Sequence, residues 1–397
     1  MIRARTLSQK QWVTIAIAYA GFIVLGLPGG LLNVAWSPYI RDTFGLALDE
    51  LGALLISTTI GYFLASFFSG RLVGRFGVGA LLVTGTLLGA GGLAGYVLAP
   101  GWLVMVAFGL LVGLSSGALD GGLNIYFAAV YGPRLMNWLH ASFGIGATLG
   151  PLLMTGVVNA GLGWRWGYAA AAAASLALAA AFFFTRDRWQ VTPPASASSA
   201  PQRRVTARET LRLPAVWIGI ALFLAYTGVE MTTGQWTFPL FTEAREVPPE
   251  IAGPWVSVFW GSFTAGRLLF GAFAHRIAVE RIIRACLAGT IVGTLLLTWN
   301  PSNSVGLLGL ALVGFALAPV FPLLVTNTQQ RMGPRHAANA IGFQIGSASL
   351  GIALLPALAG VLAERLGLEI IGPFLVVMAI LTFALYEISL RLRADGG

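Results

Sequence analysis

Long apolar runs dominate this chain, and they leave it few possible folds. Twelve stretches carry almost no charge between punctuating Arg, Gly and Pro residues: 11–39, 49–72, 78–98, 102–131, 137–162, 164–185, 213–243, 250–273, 281–299, 303–330, 336–365 and 368–391. A helix needs about 20 apolar residues to cross the hydrocarbon core of a bilayer. The runs are continuous rather than alternating, which argues against membrane strands. Of 397 residues, 57% are hydrophobic and only 10% are charged, against roughly 25% charged in a soluble domain. The expectation is an all-α membrane protein of twelve transmembrane helices, with the lipid bilayer as an obligatory partner. A soluble enzyme and a disordered chain are both excluded.

The first run resembles a secretory signal, with Ala18-Tyr19-Ala20 as an apparent cleavage site. It continues to about Tyr39, far beyond a signal core of about 7–15 residues, and so reads as an uncleaved first helix. The net charge of +9 is topology information rather than a sign of nucleic acid, because the basic residues sit in short loops. Nineteen of the 24 lie in segments on one side, from Arg3 and Lys10 through Arg134 and Arg208 to Arg393. Arg41, Arg165, Arg245 and Arg365 lie on the other, and Arg267 falls within a run. The excess places both termini in the cytoplasm, in the plasma (cytoplasmic) membrane. The lone cysteine, Cys286, rules out a disulfide framework and reads as a buried thiol.

The pattern breaks once, at the Pro/Ala/Ser-rich stretch TPPASASSAPQRR. It divides the chain into a six-helix bundle at 1–185, a cytoplasmic linker at 186–212 and a second six-helix bundle at 213–397. The halves match at a constant offset of 201 residues. Gly70 pairs with Gly271, Arg75 with Arg276 and Gly92 with Gly293, while Leu111-Val112-Gly113 repeats as Leu312-Val313-Gly314. Gly132-Pro133-Arg134 repeats as Gly333-Pro334-Arg335. Six helices is an even number, so the second half enters the membrane in the same orientation. Parallel six-helix repeats with a midplane site between them are a transporter architecture.

The loop Gly70-Arg71-Leu72-Val73-Gly74-Arg75-Phe76-Gly77 resembles the glycine–acid–arginine loop of the major facilitator superfamily. Gly74 stands where an Asp is usual and His275 at the matching place in the second half, so both acids of that motif's charge latch are absent. The resemblance implies the major facilitator fold, with gating roles for Arg71, Arg75 and Arg276. Tyr226-Thr227-Gly228-Val229-Glu230, with Gly234-Gln235-Trp236, is similar to the seventh helix of the fucose:proton-symporter-like group, which includes sodium-dependent glucose transporter-like proteins. Asp120-Gly121-Gly122-Leu123-Asn124 and the segment from His140 to Gly146 resemble that group's fourth and fifth helices. In the first helix the polar residue is Asn33, where the fucose permease uses an Asp.

Polar groups inside the spans are the candidate site. An acid at mid-membrane costs about 2.5–3.5 kcal/mol on insertion scales, so it faces a cavity or a partner. Asp120 and Glu230 are the acids well inside spans, whereas Glu387 lies near the end of the last one. Asp120 is flanked by small residues and has Asn124 one turn on, on the same face; it reads as the ion-coupling carboxyl. Glu230 reads as a second coupling group or a substrate contact. His140 either relays protons or bonds a neighbouring helix. Asn33, Asn124, Gln235 and Gln344 are candidate partners for substrate hydroxyls, with interhelical bonding as the alternative. Trp236 is either a stacking platform for a sugar ring or an interfacial residue. Arg267 is either a structural or gating residue or pairs with substrate or Asp120.

These residues lead to a secondary active transporter working by alternating access, not an enzyme. Its small-molecule substrate is expected to be a sugar or similar polyhydroxylated solute, taken up by proton symport. Proton coupling is favoured over sodium, and no other cofactor or metal is expected. A proton-driven exporter of drugs, hydrophobic cations or lipids is the alternative. The chain lacks GxxxxGK[ST] and HExxH, so neither nucleotide hydrolysis nor metal catalysis is expected. It reads as a monomer.

Overall fold

Helix ends are written locally. Ser8 and Gln11 form a reciprocal capping box at the start of the first helix, with Gln11 N donating to Ser8 Oγ over 3.3 Å and Ser8 N to Gln11 Oε1 over 2.9 Å. Pro214 starts the seventh, where its missing N–H costs nothing. Gly77 ends the second with φ +81°, and Gly333 breaks the chain between the tenth and eleventh with φ +63°; only glycine takes such angles freely. The computed structural model describes residues 8–131, 133–190, 206–273 and 277–392.

The long helices are α1 Gln9–Phe44, α2 Leu48–Phe76, α3 Val78–Leu98, α4 Trp102–Val130, α5 Pro133–Asn159 and α6 Trp164–Phe184. After a single turn at Ala207–Thr210 follow α7 Pro214–Ala244, α8 Pro249–Phe273, α9 Val279–Trp299, α10 Asn303–Gly333, α11 Arg335–Leu366 and α12 Leu368–Arg391. Among the described residues, eleven helices are long and apolar enough to cross a membrane. The other long helix, α8, carries Arg267 in its second half. There is no strand among the described residues. Residues 191–205, most of the expected linker, lie outside the described residues.

The repeat read from sequence is a repeat of contacts. Gly113 of α4 lies where an added Cβ would sit 2.0 Å from Thr58 O of α2; Gly314 of α10 lies the same way 2.4 Å from Phe259 O of α8. Gly92 would meet Val112 Cγ2 at 2.8 Å, and Gly293 would meet Val313 Cγ2 at 2.8 Å. Each partner pair is separated by the same 201 residues. Absent side chains thus let backbones touch, as small residues do in membrane helix packing. The two bundles are built alike, and in each the first helix departs from regular α geometry near its far end, at a kink through extended Ser37 in one and at a wider π turn, Leu240–Ala244, in the other.

The outer surface is apolar. Phe67, Leu98, Leu103, Phe184 and Trp299 are 63–82% exposed, a surface that water tolerates poorly and lipid covers. Trp12, Trp138, Trp166, Trp217 and Trp299 are exposed near helix ends, where indole rings favour the membrane interface. The molecule is an integral membrane protein.

The halves meet along α1 and α7, α2 and α11, and α5 and α8. Arg41 Nη1 donates to Glu243 Oε2 over 2.7 Å, and the Ser37 hydroxyl donates to the same carboxylate. Leu48 N donates to Glu364 Oε2 over 2.8 Å, and Ser257 Oγ to Thr148 O over 2.9 Å. Gly52 brings α2 against Ala357 of α11. The hydrogen-bonded contacts between Arg41 and Glu243 and between Leu48 and Glu364 lie at the end of the bundle away from the described termini, and they seal it.

Candidate solute site between the two halves

Small residues on α4 create room for a polar group. A Cβ on Gly117 would lie 2.3 Å from Tyr62 O, so α2 and α4 approach closely enough to bring Tyr62 to Asp120. The Tyr62 hydroxyl donates to Asp120 Oδ2 over 2.7 Å. Asn124 Nδ2, one turn further along α4, donates to Asp120 Oδ1 over 2.9 Å. The Asn124 oxygen then lies 3.1 Å from His140 Nε2 of α5. With its oxygen facing His140, Asn124 accepts a hydrogen bond from an Nε2–H tautomer or from the imidazolium. The His140 ring is held edge-on to Phe22, with centroids 5.2 Å apart.

The second half faces this chain with an acid and a base of its own. Arg267 of α8 lies over the Phe263 ring, 4.3 Å from its centroid, and its Nε is buried without a partner. It lies within electrostatic reach of Glu230 on α7 and of His140 across the interface, while Asp120 reaches the same imidazole. Tyr226 sits one turn before Glu230, and its hydroxyl donates to Leu317 O over 3.0 Å. One half therefore holds a hydrogen-bonded line, Tyr62–Asp120–Asn124–His140, and the other sets Arg267 and Glu230 within electrostatic reach of its end. Arg267 is thereby placed opposite Glu230 and His140 and is not bonded to Asp120.

A neutral cluster lies about two turns along α7. Trp260 Nε1 donates to Asn33 Oδ1 over 2.8 Å, while the Asn33 amide nitrogen donates to Gly29 O and Gln235 Oε1, each at 3.0 Å; this is the amide orientation that satisfies both ends. Gln235 Nε2 also points to Leu32 O at 3.5 Å. Asn33 and Gln235 thus come together across the halves, as two hydroxyl-binding amides must.

Other expected contacts are placed elsewhere. Trp236 is fully buried and donates to Pro356 O over 2.9 Å, so neither ring face is open for stacking, nor does it stand in an interfacial belt. Gln344 packs against Gly219, eleven residues before Glu230 on α7 and so about 16 Å away at 1.5 Å per residue. Arg71 and Arg75 are exposed and lie over the Phe68 and Phe76 rings, at 5.8 and 5.2 Å. Neither has a carboxylate partner among the described residues, in keeping with the glycine at position 74. Arg276 and His275 lie outside the described residues. Glu387 pairs with Arg284 of α9 at 2.6 Å, at the membrane edge. Among the described residues no cluster of His, Cys, Asp and Glu suits a metal.

Sequence reasoning missed Tyr62 and Trp260. The signal for Tyr62 was the small-residue face of α4 that draws α2 close. For Trp260 there was only a polar tip in an apolar run.

The comparisons agree with this geometry. The model of the Major Facilitator Superfamily matches residues 18–347. The human sodium-dependent glucose transporter 1 is 25% identical over 385 residues, covering 87% of this chain and 73% of the relative. The glucose/mannose transporter GlcP of Bacillus subtilis (strain 168) is 20% identical over 358 residues, covering 87% of each chain. Among solved structures, a point mutant of the nucleoside transporter NupG superposes with a TM-score of 0.78 at 14% identity, over 95% of this chain and 99% of that one. With matching repeats, a lipid-facing surface and the family model covering most of its length, the chain belongs to the major facilitator superfamily of membrane transporters.

Proposed function

We propose that the protein is a proton-coupled symporter of a sugar or similar polyhydroxylated solute, working by alternating access with both termini in the cytoplasm. The observation that carries this reading is the hydrogen-bonded line Tyr62–Asp120–Asn124–His140 at the interface, with Arg267 and Glu230 of the other half within electrostatic reach of it. It puts a titratable acid on each side of the interface whose opening and closing would carry the solute. Taking a carboxyl out of water favours its protonated form, so exposing or covering such a site moves a proton with the conformation. Asn33 and Gln235, paired to each other here, are the amides that would exchange this bond for substrate hydroxyls. Asn124 and Glu230 face the same space. Arg41–Glu243 and Leu48–Glu364 close the solute path at the end away from the described termini.

The relatives' names favour a hexose, and one of them names sodium. A proton is favoured because Asp120 and His140, bonded to one Asn124 amide, are both groups that change charge by taking up a proton. One proton suffices energetically. Roughly 2.3 kcal/mol per 100 mV and about 1.4 kcal/mol per pH unit together sustain a gradient of several-hundred-fold.

The test is gradient-driven uptake of labelled hexoses into proteoliposomes, with proton and sodium gradients imposed separately. Wild type accumulates sugar under the proton gradient; Asp120→Asn still exchanges sugar across the membrane but no longer accumulates it. Unchanged accumulation by Asp120→Asn sinks the coupling role, and a response to sodium alone moves the coupling ion.

A further inference from the structure

Arg267 lies between the halves as a cation without a bonded partner. No carboxylate comes within 4.0 Å of it among the described residues. A lone arginine near the end of a span turns its charge toward the nearer surface. Arg267 does the opposite. α8 ends at Phe273, yet the guanidinium lies over the ring of Phe263, one turn back towards the middle of the helix. The ring covers one face and offsets part of the charge, but it leaves the N–H edge unused. On that edge Nε is sealed, while the two Nη nitrogens are open and make no hydrogen bond among the described residues. Asp120, Asn124, His140, Glu230 and Arg267 are all half-buried, whereas Asn33, Gln235 and Trp260 are 2–3% exposed. The charged part of the site is thus the part that a solute reaches first.

An open pair of Nη nitrogens is a fork that a carboxylate fills with two parallel bonds. One guanidinium matches a monoanion; a phosphoryl dianion would set its second charge against Glu230 and Asp120. Trp260, whose indole orients Asn33, stands three residues before Phe263 on α8, about 4.5 Å along the axis. The guanidinium and the amide pair therefore fall within the span of one six-carbon solute. We propose that the solute is a sugar acid, a hexose-sized polyol with one carboxylate, bound end-on at Arg267 Nη1 and Nη2 with its hydroxyls turned to Asn33 and Gln235 once that pair parts. This rests on the transport reading above and names the solute class of the same site. Glu230 shares the field of Arg267, with Tyr226 beside it on α7, and His140 and Asp120 face the guanidinium from the first half. A bound carboxylate replaces Glu230 as counter-ion, and two carboxylates around one guanidinium repel each other, so Glu230 takes a proton as the anion binds. Proton and sugar acid load together and carry no net charge. Uptake then follows the pH gradient and not the membrane potential.

The experiment offers labelled glucuronate and labelled glucose to proteoliposomes of the full-length protein, under a pH gradient and, separately, under a potassium diffusion potential. Expected is accumulation of glucuronate under the pH gradient and none under the potential alone, with unlabelled glucuronate competing at least tenfold better than glucose. Arg267→Gln reduces that preference at least tenfold, and Arg267→Lys, which keeps the charge, recovers part of it. Melting curves report whether each variant is folded, and the wild-type arms decide the matter even where one is not. Accumulation of glucose without competition from glucuronate overturns the sugar acid and leaves the sugar symporter standing. Accumulation of neither overturns both. Glucuronate uptake driven by the potential alone, or a preference that survives in Arg267→Gln, overturns the pairing of the carboxylate with Arg267.

Discussion

Glu230 and Arg267 balance each other's charge between packed helices, with no ion pair within 4.0 Å to fix them. Removing either leaves the other charge poorly compensated, so the double variant Glu230→Gln/Arg267→Leu is expected to be more stable than the sum of the singles. Thermal unfolding of the four proteins in a double-mutant cycle checks this, with an expected coupling of about 1–2 kcal/mol. Tyr62→Phe is the second test. It deletes the donor to Asp120 Oδ2 and is expected to slow uptake about tenfold while the protein remains folded, the effect of losing roughly 1.4 kcal/mol. Asp120, Asn124 and His140 were legible from sequence because spacing on one helix, and then an odd polar group in the next, point to one another. Tyr62 was not, since only the packing of α2 on α4 puts its hydroxyl there. Trp236 shows the reverse failure: its type suits a stacking platform or an interface, and tertiary burial decides otherwise.

Helices in each half are held by backbone approach at glycine. Gly113→Ala and Gly314→Ala each force a methyl to within 2.0 and 2.4 Å of a carbonyl oxygen, and each is expected to cost about 1–3 kcal/mol of stability through overpacking. Gly70→Ala, which meets nothing within 4 Å, is the control and should leave the melting temperature nearly unchanged. A penalty at only one of the two equivalent glycines would mean that the halves are not held alike. The helices themselves were legible, because apolar runs of this length have one structural solution in lipid. Their ends were not. α1 runs to Phe44, beyond the expected 39, and α10 to Gly333, beyond the expected 330. The kink at Ser37 and the glycine angle at 333 are features that hydropathy does not encode.

The seal between halves rests on few polar contacts, which is what a reversible closure needs. Glu243→Gln with Glu364→Gln weakens the bonds to Ser37, Arg41 and Leu48. At about 0.2–1 kcal/mol for each partly exposed contact, the pair should shift the balance of closed and open states several-fold. Spin labels at Ala47→Cys and Ala244→Cys, in a Cys286→Ala background, should report longer distances in that variant by pulsed EPR; an unchanged distribution would place the seal elsewhere. Cys286 is buried, so its replacement leaves the surface untouched. The number of long helices follows from sequence, whereas the closed end does not, because hydropathy does not encode which polar groups meet across the halves.

The contacts Gly113–Thr58 and Gly314–Phe259 also carry a history. A backbone contact kept at one register in two halves, while the surrounding side chains differ, is what a duplicated gene leaves behind. The repeated unit is six helices, about half this length. An exact repeat of the present first half would set Asp120 and His140 against another Asp120 and His140, with no arginine between them. The division of labour, in which one half keeps the acid with the imidazole and the other the acid with the guanidinium, therefore belongs to the side chains and not to the packing frame the halves share.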